Sequence, residues 1–593
     1  MSEPRPRLVA LAAVTLAAAI AAVYARALAG PFVFDDQTAI VGNETLRSLG
    51  QLGAVLAQPP DTTISGRPLV ALTLALNYAF AGSDPAPYRA TNALIHWVCA
   101  LLVFGLVRRS LRAPRLAARF APRADGLALA SAFLFALHPL TSEVVCYASA
   151  RTESVMAAFY LATLYLATRA RESARPWGWV AGAITCCALG MASKEVMVSA
   201  PLVAALHDAV LWGRAEGRAR SVRLATWAGL AATWAVLVAL VLGSPRANSA
   251  GFEHWVTPLV YLWNQCAVIP RYLALVVWPH PLRFDYGAPL PLALRDVWPG
   301  ALLLAALFAA SLVALRRWPT AGFVGIACFA VLSASSSVVP VVSEVGAERR
   351  MYLPLAALAA LAVCAVDLAL ARLRARSLGP WLAGAAALAL AAVSFARAGD
   401  YRSEIGLWES DLRHWSDRRA HYNLGKAYAR EGLLAQAQEQ QARAVLGEID
   451  FYSAVLPLQP DQVRSRVDLG AVYEVAARPA NAEALYRQAL ELDPENVYAL
   501  WRMALVLTRP RADLPADLER AKDYAEHAVA ASRRGDAAAL EALARVQLAR
   551  GERDAAKQTL REALATDPAR QRERVMKRVL ETLTALEAAP QAP

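Results

Sequence analysis

Cysteine is scarce in this sequence, and its positions do not form a site. The 593 residues contain seven cysteines. Most of them stand inside apolar runs, where a thiol behaves as a small hydrophobic side chain: Cys99, Cys186, Cys187, Cys266, Cys328 and Cys364. No spacing of ligand residues matches a metal site, and no spacing of cysteines indicates a disulfide framework. The sequence therefore predicts neither a metal-binding nor a disulfide-stabilised protein.

Charged residues are also few. They make up 19% of the chain against 57% hydrophobic residues, and the mean hydropathy is +0.33, which is too apolar for a soluble protein of this size. Charged residues are unevenly distributed along the chain. Residues 1–397 carry repeated apolar runs of about 18–22 residues, long enough to cross a bilayer, whereas residues 398–593 do not. We therefore predict an all-α protein, with a polytopic membrane domain over 1–397 followed by a soluble helical domain.

The excess of positive charge indicates topology rather than nucleic-acid binding. The net charge is +12, but most arginines stand in short loops between apolar runs, as in 108–123 and 169–175. Such loops face the cytoplasm under the positive-inside rule, and so does the N-terminus. The outer, non-cytoplasmic side then carries the loops at 30–87, 141–152, 193–196, 244–256 and 342–350, and everything after about residue 398.

One long apolar segment does not fit a simple crossing. Residues 257–278 are long enough to span, but a crossing there would put the next arginine pair on the wrong side. The prolines Pro258, Pro270 and Pro279 predict a broken or re-entrant segment instead. This leaves about eleven crossings.

The first outer loop, 30–87, is long enough to carry elements of its own. Asn43 is a candidate N-cap for an amphipathic helix over 44–57. The short apolar stretch 68–81 is predicted to be an interfacial helix rather than a full crossing.

Two adjacent carboxylates, Asp35 and Asp36, follow soon after the first apolar run, which Pro31 ends. Two such neighbours cannot both ionise cheaply without compensation, so one of them is a candidate proton acceptor with a raised pKa. The alternative interpretation is a solvated loop that ends the helix. Both interpretations place the pair at the outer membrane surface.

Cations on the same outer side work against the positive-inside bias. Arg151, Lys194, Arg349 and Arg350 would need an anionic ligand there, and a lipid phosphate is the anion present at that depth. Interface ion pairs, helix caps and hydrogen-bonded core histidines are the alternative interpretations of the polar residues on this side. Those that accompany the cations near the outer surface are His96, His138, Glu143, Glu195 and Glu348.

A base, phosphate-binding cations and an apolar bundle together describe a glycosyl-transfer site. A polyprenyl-phosphate sugar would keep its lipid tail in a groove between helices and its phosphate on Arg or Lys. An Asp would take the proton of an acceptor hydroxyl as the hydroxyl attacks the sugar. Because cations stabilise the leaving phosphate, no cofactor or divalent metal is required.

Six motifs in order resemble the transmembrane-and-TPR-containing O-mannosyltransferases over nearly the whole chain. They are Phe32–Asp36 with Ile40 and Asn43, Arg67-Pro68-Leu69 with Asn77-Tyr78, Asn92 with His96, His138-Pro139 with Glu143, Ser193-Lys194-Glu195, and Glu348-Arg349-Arg350 with Tyr352-Leu353-Pro354. The resemblance implies the GT-C glycosyltransferase fold, a lipid-phosphate sugar donor, Asp35 and Asp36 as the catalytic pair, and Arg67 and Asn77 as supporting residues.

The C-terminal region repeats with a period of about 34 residues, the tetratricopeptide (TPR) length. Copies start near 418, 463, 497 and 537, and the third carries an insertion around Thr508–Asp517. This predicts a connector at 398–416 and an outer-side α-solenoid of about four repeats over 417–589. Its concave surface would bind a protein or peptide acceptor. The alternative is a structural lid or assembly module.

The sequence as a whole predicts an inverting glycosyltransferase that moves mannose or another hexose from a polyprenyl phosphate to Ser or Thr hydroxyls of exported proteins. Its Ala- and Arg-rich composition favours a bacterial inner membrane and an undecaprenyl donor. Two alternatives stay open. The same fold could glycosylate a lipid or surface glycan, or the chain could be a non-catalytic scaffold.

Overall fold

A computed structural model describes residues 6–59, 62–243, 256–337, 339–458, 460–508, 510, 516–566 and 573–588. The described residues form helices and no β-strand, so the predicted all-α class is confirmed. The chain divides into two compact units, Met1–Ser416 and Asp417–Pro593.

The first unit is a bundle of apolar helices. Eight are long and apolar enough to cross a membrane among the described residues, or nine if the bent pair Pro114–Ala136 and Pro139–Cys146 is one span. The number of actual crossings stays a prediction. The α-helices of this unit are Pro6–Tyr24, Leu52–Leu56, Pro68–Ala81, Pro85–Arg112, Pro114–Phe120, Ala124–Ala136, Ser142–Cys146, Arg151–Glu172, Trp177–Met191, Ala200–Trp212, Gly217–Ala232, Trp234–Gly243, Pro258–Val277, Leu294–Arg317, Pro319–Ser333, Tyr352–Arg372, Gly379–Asp400 and Glu404–Leu412.

Helix Pro85–Arg112 lies at the centre of the bundle and packs against Ala124–Ala136 and Arg151–Glu172. Peripheral helices instead expose large apolar side chains, as Leu294–Arg317 does with Leu302, which is 62% exposed. Such surfaces suit contact with lipid, where no water is available to disfavour them. The unit is therefore a membrane domain.

The segment expected to be broken is one continuous helix, Pro258–Val277. That prediction was wrong because Pro258 stands at the first turn, where its missing N–H costs nothing, and only Pro270 lies inside. Both ends of the helix contact other segments of this unit. The Tyr261 hydroxyl donates to the carbonyl of Ser335 at 3.0 Å, and His138 contacts the carbonyl of Val276 at 3.1 Å.

The helix predicted over 44–57 is interrupted. Asn43 is the N-cap as expected, accepting from the backbone N–H of Thr45 at 3.2 Å. The chain then forms two short 3₁₀ turns before the α-helix Leu52–Leu56. Gly50 and Gly53 weaken helix formation across this stretch, so the regular apolar face is lost.

The described residues of the second unit form four helix pairs and a last single helix. They are Arg418–Arg430 with Leu434–Val455, Val463–Val475 with Pro479–Leu492, Val497–Thr508 with Leu518–Ala531, Ala537–Ala549 with Arg553–Leu564, and Glu573–Ala588. Small residues within these helices, such as Ala482, Ala489 and Ala563, are fully buried and let the helices approach closely. Much of the predicted insertion at 508–517 lies outside the described residues.

Candidate active site

Asp36 is an internal anchor of the first outer loop. It is fully buried, and its carboxylate accepts the backbone N–H of Val33 at 3.1 Å and that of Ser149 at 2.8 Å. Burial raises the pKa of Asp36 to about 6, although the backbone donors oppose the shift. Both carboxylate oxygens are therefore used to tie residues 33–36 to the loop that contains Ser149.

Asp35 is partly exposed and faces other charges. Its backbone N–H donates to the Tyr147 hydroxyl at 3.0 Å. Burial raises the pKa of Asp35 to about 6; the charge of Glu344 acts in the same direction and that of Arg349 opposes it. A carboxyl whose pKa lies this close to neutrality is suited to accept a proton. Of the two acids, Asp35 is the better placed to reach a substrate.

The residue before Asp35 is conformationally unusual. Phe34 has a φ of 48°, in the left-handed region that side chains other than glycine rarely adopt. Its ring lies 5.7 Å from that of Trp408 and 6.0 Å from that of Phe284, both in edge-on geometry. This packing holds the turn that presents Asp35.

Arg349 lies between two carboxylates. Its backbone N–H donates to Glu143 at 2.9 Å, and its guanidinium forms an ion pair with the same carboxylate. On the other side it binds both oxygens of Glu344, at 2.6 and 2.8 Å. Its side chain keeps 16% exposure, so this cation lies at the edge of the site rather than deep in the bundle.

Arg350 points into the protein. Its guanidinium donates to the carbonyl of Ser335 at 2.9 Å and to the carbonyl of Glu344 at 3.0 Å, and it contacts the Tyr261 hydroxyl at 3.2 Å. The residue is buried, and these contacts hold the loop before Arg349 in place.

Arg151 is also enclosed. Its guanidinium donates to Asn92 at 2.8 Å, to Asn77 at 2.5 Å, and to the backbone carbonyls of Tyr88 at 2.7 Å and Thr73 at 3.1 Å. The predicted supporting residue Asn77 is thus an acceptor for Arg151. With these protein acceptors in place, Arg151 links three helices, Pro68–Ala81, Pro85–Arg112 and Arg151–Glu172.

The remaining predicted cations form separate ion pairs. Lys194 pairs with Glu153, a residue whose side chain is 3% exposed. Arg67 pairs with Glu195 at 3.2 Å and donates to the carbonyl of Thr63 at 2.9 Å. Lys194 and Glu195 are neighbours in sequence, so the two pairs lie side by side.

The two predicted histidines are held by hydrogen bonds inside the protein. His96 is fully buried, with one ring nitrogen 2.6 Å from the Tyr352 hydroxyl and the other 3.0 Å from the carbonyl of Ala136. His138 accepts the backbone N–H of Leu140 at 3.2 Å, so its other nitrogen donates to the Val276 carbonyl. Both geometries are those of structural histidines.

Glu348 connects two outer segments. It accepts the backbone N–H of Arg283 at 2.5 Å and lies 3.4 Å from the Tyr286 hydroxyl. The residue is buried, and it fixes the loop after the helix Pro258–Val277.

Three important residues were not predicted from the sequence. Arg89 is buried and donates to the carbonyls of Cys146 at 2.7 Å, Ala27 at 2.6 Å and Gly30 at 2.5 Å, which joins the first helix end to the second outer loop. Tyr147 and Glu344 complete the surroundings of Asp35. Arg89 and Glu344 are charged residues in or near the predicted outer loops, which is the signal that selected the predicted residues, whereas a single Tyr gives no such signal.

An apolar cavity of about 570 Å³ opens between the membrane helices. At one end it is lined by Tyr160, Leu353 and Pro354, close in sequence to Arg349. Among the described residues, no group of three or more His, Cys, Asp or Glu has a geometry that could hold a metal ion.

Comparison with known proteins finds a repeat family in the second unit and protein O-mannosyl-transferases as relatives of the chain. The tetratricopeptide-repeat family model matches residues 463–496. The chain is 28% identical to protein O-mannosyl-transferase Tmtc1 of Drosophila melanogaster over 51% of this chain and 37% of that protein. It is 25% identical to a protein O-mannosyl-transferase of Caenorhabditis elegans over 71% of this chain and 60% of that protein. Human protein O-mannosyl-transferase TMTC4 is 32% identical over 32% of this chain and 28% of its own length.

These matches confirm the resemblance stated from the sequence motifs. The chain spans less than two thirds of the length of the first curated relatives it matches. Among solved structures, ArnT from Cupriavidus metallidurans bound to undecaprenyl phosphate aligns over 82% of this chain and 80% of its own at 17% identity, with a TM-score of 0.35.

Proposed function

We propose that this protein is an inverting membrane glycosyltransferase that moves a sugar from a polyprenyl phosphate to a Ser or Thr hydroxyl of an exported protein. One observation carries the proposal. Asp35, a partly exposed carboxyl with a raised pKa, lies within electrostatic reach of Arg349, a cation at the edge of the bundle. A base and a phosphate-binding group are the two functions that this transfer needs.

Asp35 acts as the general base in this mechanism. It takes the proton of the acceptor hydroxyl while the hydroxyl oxygen forms a bond to the anomeric carbon. The bond from that carbon to the phosphate oxygen breaks, and its electron pair leaves with the lipid phosphate. Because attack and departure occur on opposite faces of the sugar, the configuration inverts.

Arg349 stabilises the charge that develops on the leaving phosphate. In the structure its guanidinium already binds Glu143 and Glu344. Glu143 also accepts the Arg349 backbone N–H, so it orients the side chain. Glu344 is the partner that the donor phosphate would replace.

The other predicted site residues receive supporting roles. We assign Asp36 to positioning Asp35, because both of its oxygens accept backbone N–H groups. Arg151 and Arg350 have protein acceptors around their guanidinium groups, so we assign them to holding the loops rather than to binding phosphate. Lys194 is a candidate for a second contact to the donor phosphate, which would then replace Glu153 as its partner.

The orientation follows from the arginine distribution. We place the N-terminus in the cytoplasm of a bacterium and the Asp35 surface and the TPR unit on the opposite side of the inner membrane. The donor's apolar tail would enter the cavity at Leu353 and Pro354. The TPR unit would recruit the protein acceptor.

The decisive experiment compares glycoproteomes of exported proteins in a deletion strain complemented with wild type, Asp35→Asn or Glu44→Gln. Glu44 is an exposed acid in the same outer loop, so its variant is a matched control. We expect transfer to be lost only with Asp35→Asn. Full transfer by Asp35→Asn would overturn the proposal and favour a scaffold, whereas modified lipids or surface glycans in place of proteins would favour the alternative acceptor.

The proposed mechanism also predicts independence from divalent metal, because Arg349 supplies the positive charge. Transfer by purified protein should continue in EDTA. Loss in EDTA with recovery on adding Mg²⁺ or Mn²⁺ would contradict this part of the mechanism.

A further inference from the structure

The apolar cavity has a second end with different chemistry. Along the helix Tyr352–Arg372 its lining runs from Leu353 to Leu368, about 22 Å at 1.5 Å per residue. At the end far from Leu353 the lining includes Arg115, Arg119 and Arg317, which we call the arginine mouth. The walls between the two ends are almost wholly apolar.

The arginines of the mouth lack the acidic partners that their neighbours have. Within the same stretch of chain, Arg108 and Arg112 pair with Asp125 at 2.5 and 2.8 Å. Other neighbours are paired too, Arg109 with Glu172 and Arg123 with Asp367. Among the described residues, no Asp or Glu lies within ion-pair distance of an arginine of the mouth, and all three are exposed. Among the described residues, these three guanidinium groups form one hydrogen bond, in which Arg115 donates to the carbonyl of Val210 at 2.5 Å.

Topology explains why arginines gather at this end of the bundle. Within residues 108–123, the arginines without an acidic partner among the described residues are Arg115 and Arg119, and both line the cavity. Trp318, which is 67% exposed and follows Arg317, also lines it. Tryptophan is enriched where the lipid headgroups begin, so the mouth lies at headgroup level.

We propose that the arginine mouth binds the phosphate of an anionic phospholipid from the adjacent leaflet, with one acyl chain inside the cavity. Guanidinium groups bind phosphate by charge-assisted hydrogen bonds, and the apolar walls accept the chain. The chain occupies the half near the mouth and leaves the end at Leu353 for the donor tail. This site lies at the opposite end of the cavity from Arg349 and does not depend on the glycosyl-transfer proposal.

The test uses the full chain in nanodiscs of phosphatidylcholine containing a minor fraction of phosphatidylglycerol, with bound lipid read by native mass spectrometry. The variant is Arg115→Gln with Arg119→Gln and Arg317→Gln. The matched control, Arg316→Gln with Arg372→Gln and Arg374→Gln, removes three arginines that have no ion pair among the described residues and do not line the cavity. We expect phosphatidylglycerol binding to weaken at least about tenfold in the variant and to change little in the control.

Equal weakening in both triple variants would overturn the proposal, because it would show a general charge effect. The proposal would also be overturned if the wild-type protein retained phosphatidylcholine as strongly as phosphatidylglycerol. Displacement of phosphatidylglycerol by undecaprenyl phosphate through the same three arginines would assign the mouth to the donor lipid instead. If the triple variant fails to fold, Ala360→Trp tests the site independently, since it fills the cavity, leaves the arginines intact and should also reduce binding.

Discussion

Asp35 sets the pH dependence at the scale of single residues. Its pKa is raised to about 6, so the base is protonated and inactive below that pH. We expect kcat/KM to fall as the pH decreases through about 6. Glu344→Gln removes a negative charge that raises this pKa, so the pH at which kcat/KM falls should be lower in this variant. A pH–rate profile of both proteins checks this, and an unchanged limb in Glu344→Gln would contradict the assignment of Asp35.

Loss of activity at low pH should not reflect unfolding of this loop. Asp36 has a folded-state pKa of about 6, above its ordinary value, because of burial. The folded protein therefore binds this proton more tightly than the unfolded chain, and its contribution to stability is present at low pH and lost as the pH rises through about 6. A melting temperature that holds or rises between pH 7 and pH 5 would separate the two effects.

Glu344 also competes with the donor for Arg349. Both of its carboxylate oxygens accept from the same guanidinium nitrogen, Nη2, at 2.6 and 2.8 Å, and a donor phosphate at this nitrogen would need the same hydrogen atoms. Glu344→Gln should therefore tighten undecaprenyl-phosphate binding by about tenfold, the equivalent of roughly 1.4 kcal/mol. Binding to the purified protein measures this, with Glu44→Gln as control. Weaker binding in Glu344→Gln would show that Glu344 orients Arg349 instead of competing for it.

At the scale of elements, the short helix Glu404–Leu412 supports the turn that carries Asp35. Trp408 is fully buried against Phe34, and Asp411 accepts the backbone N–H of Phe284 at 2.8 Å. Trp408→Ala should destabilise the unit by about 3–5 kcal/mol. Asp411→Asn should cost about 1 kcal/mol and lower kcat more than it raises the donor KM. Glu409→Gln, an exposed acid on the same helix, is the control, and an equal effect there would contradict this role.

The sequence predicted the elements better than it predicted their contacts. Long apolar runs, the Asn43 cap and the 34-residue period depend on local chemistry and can be read directly. The difference between Asp35 and Asp36 depends on the backbone N–H of Ser149, which is distant in sequence. The ion pair of Arg349 with Glu143 is likewise long-range, so charge and topology indicated the residues but not their partners. Pro258, Pro270 and Pro279 misled because Pro258 begins the helix and Pro279 follows its end, so only Pro270 lies inside.

At the scale of the whole molecule, the two compact units allow their functions to be separated. The TPR unit has its own buried core, which includes Tyr486, Leu500 and Leu540. Deletion of residues 417–593 should leave undecaprenyl-phosphate binding by the membrane unit intact, because the groups assigned to the donor lie in residues 1–416. It should reduce transfer to a folded exported protein at least about tenfold, and transfer to a short Ser/Thr peptide much less, because only the larger acceptor needs a docking surface. Equal loss with both acceptors would assign the TPR unit to assembly of the enzyme rather than to acceptor binding.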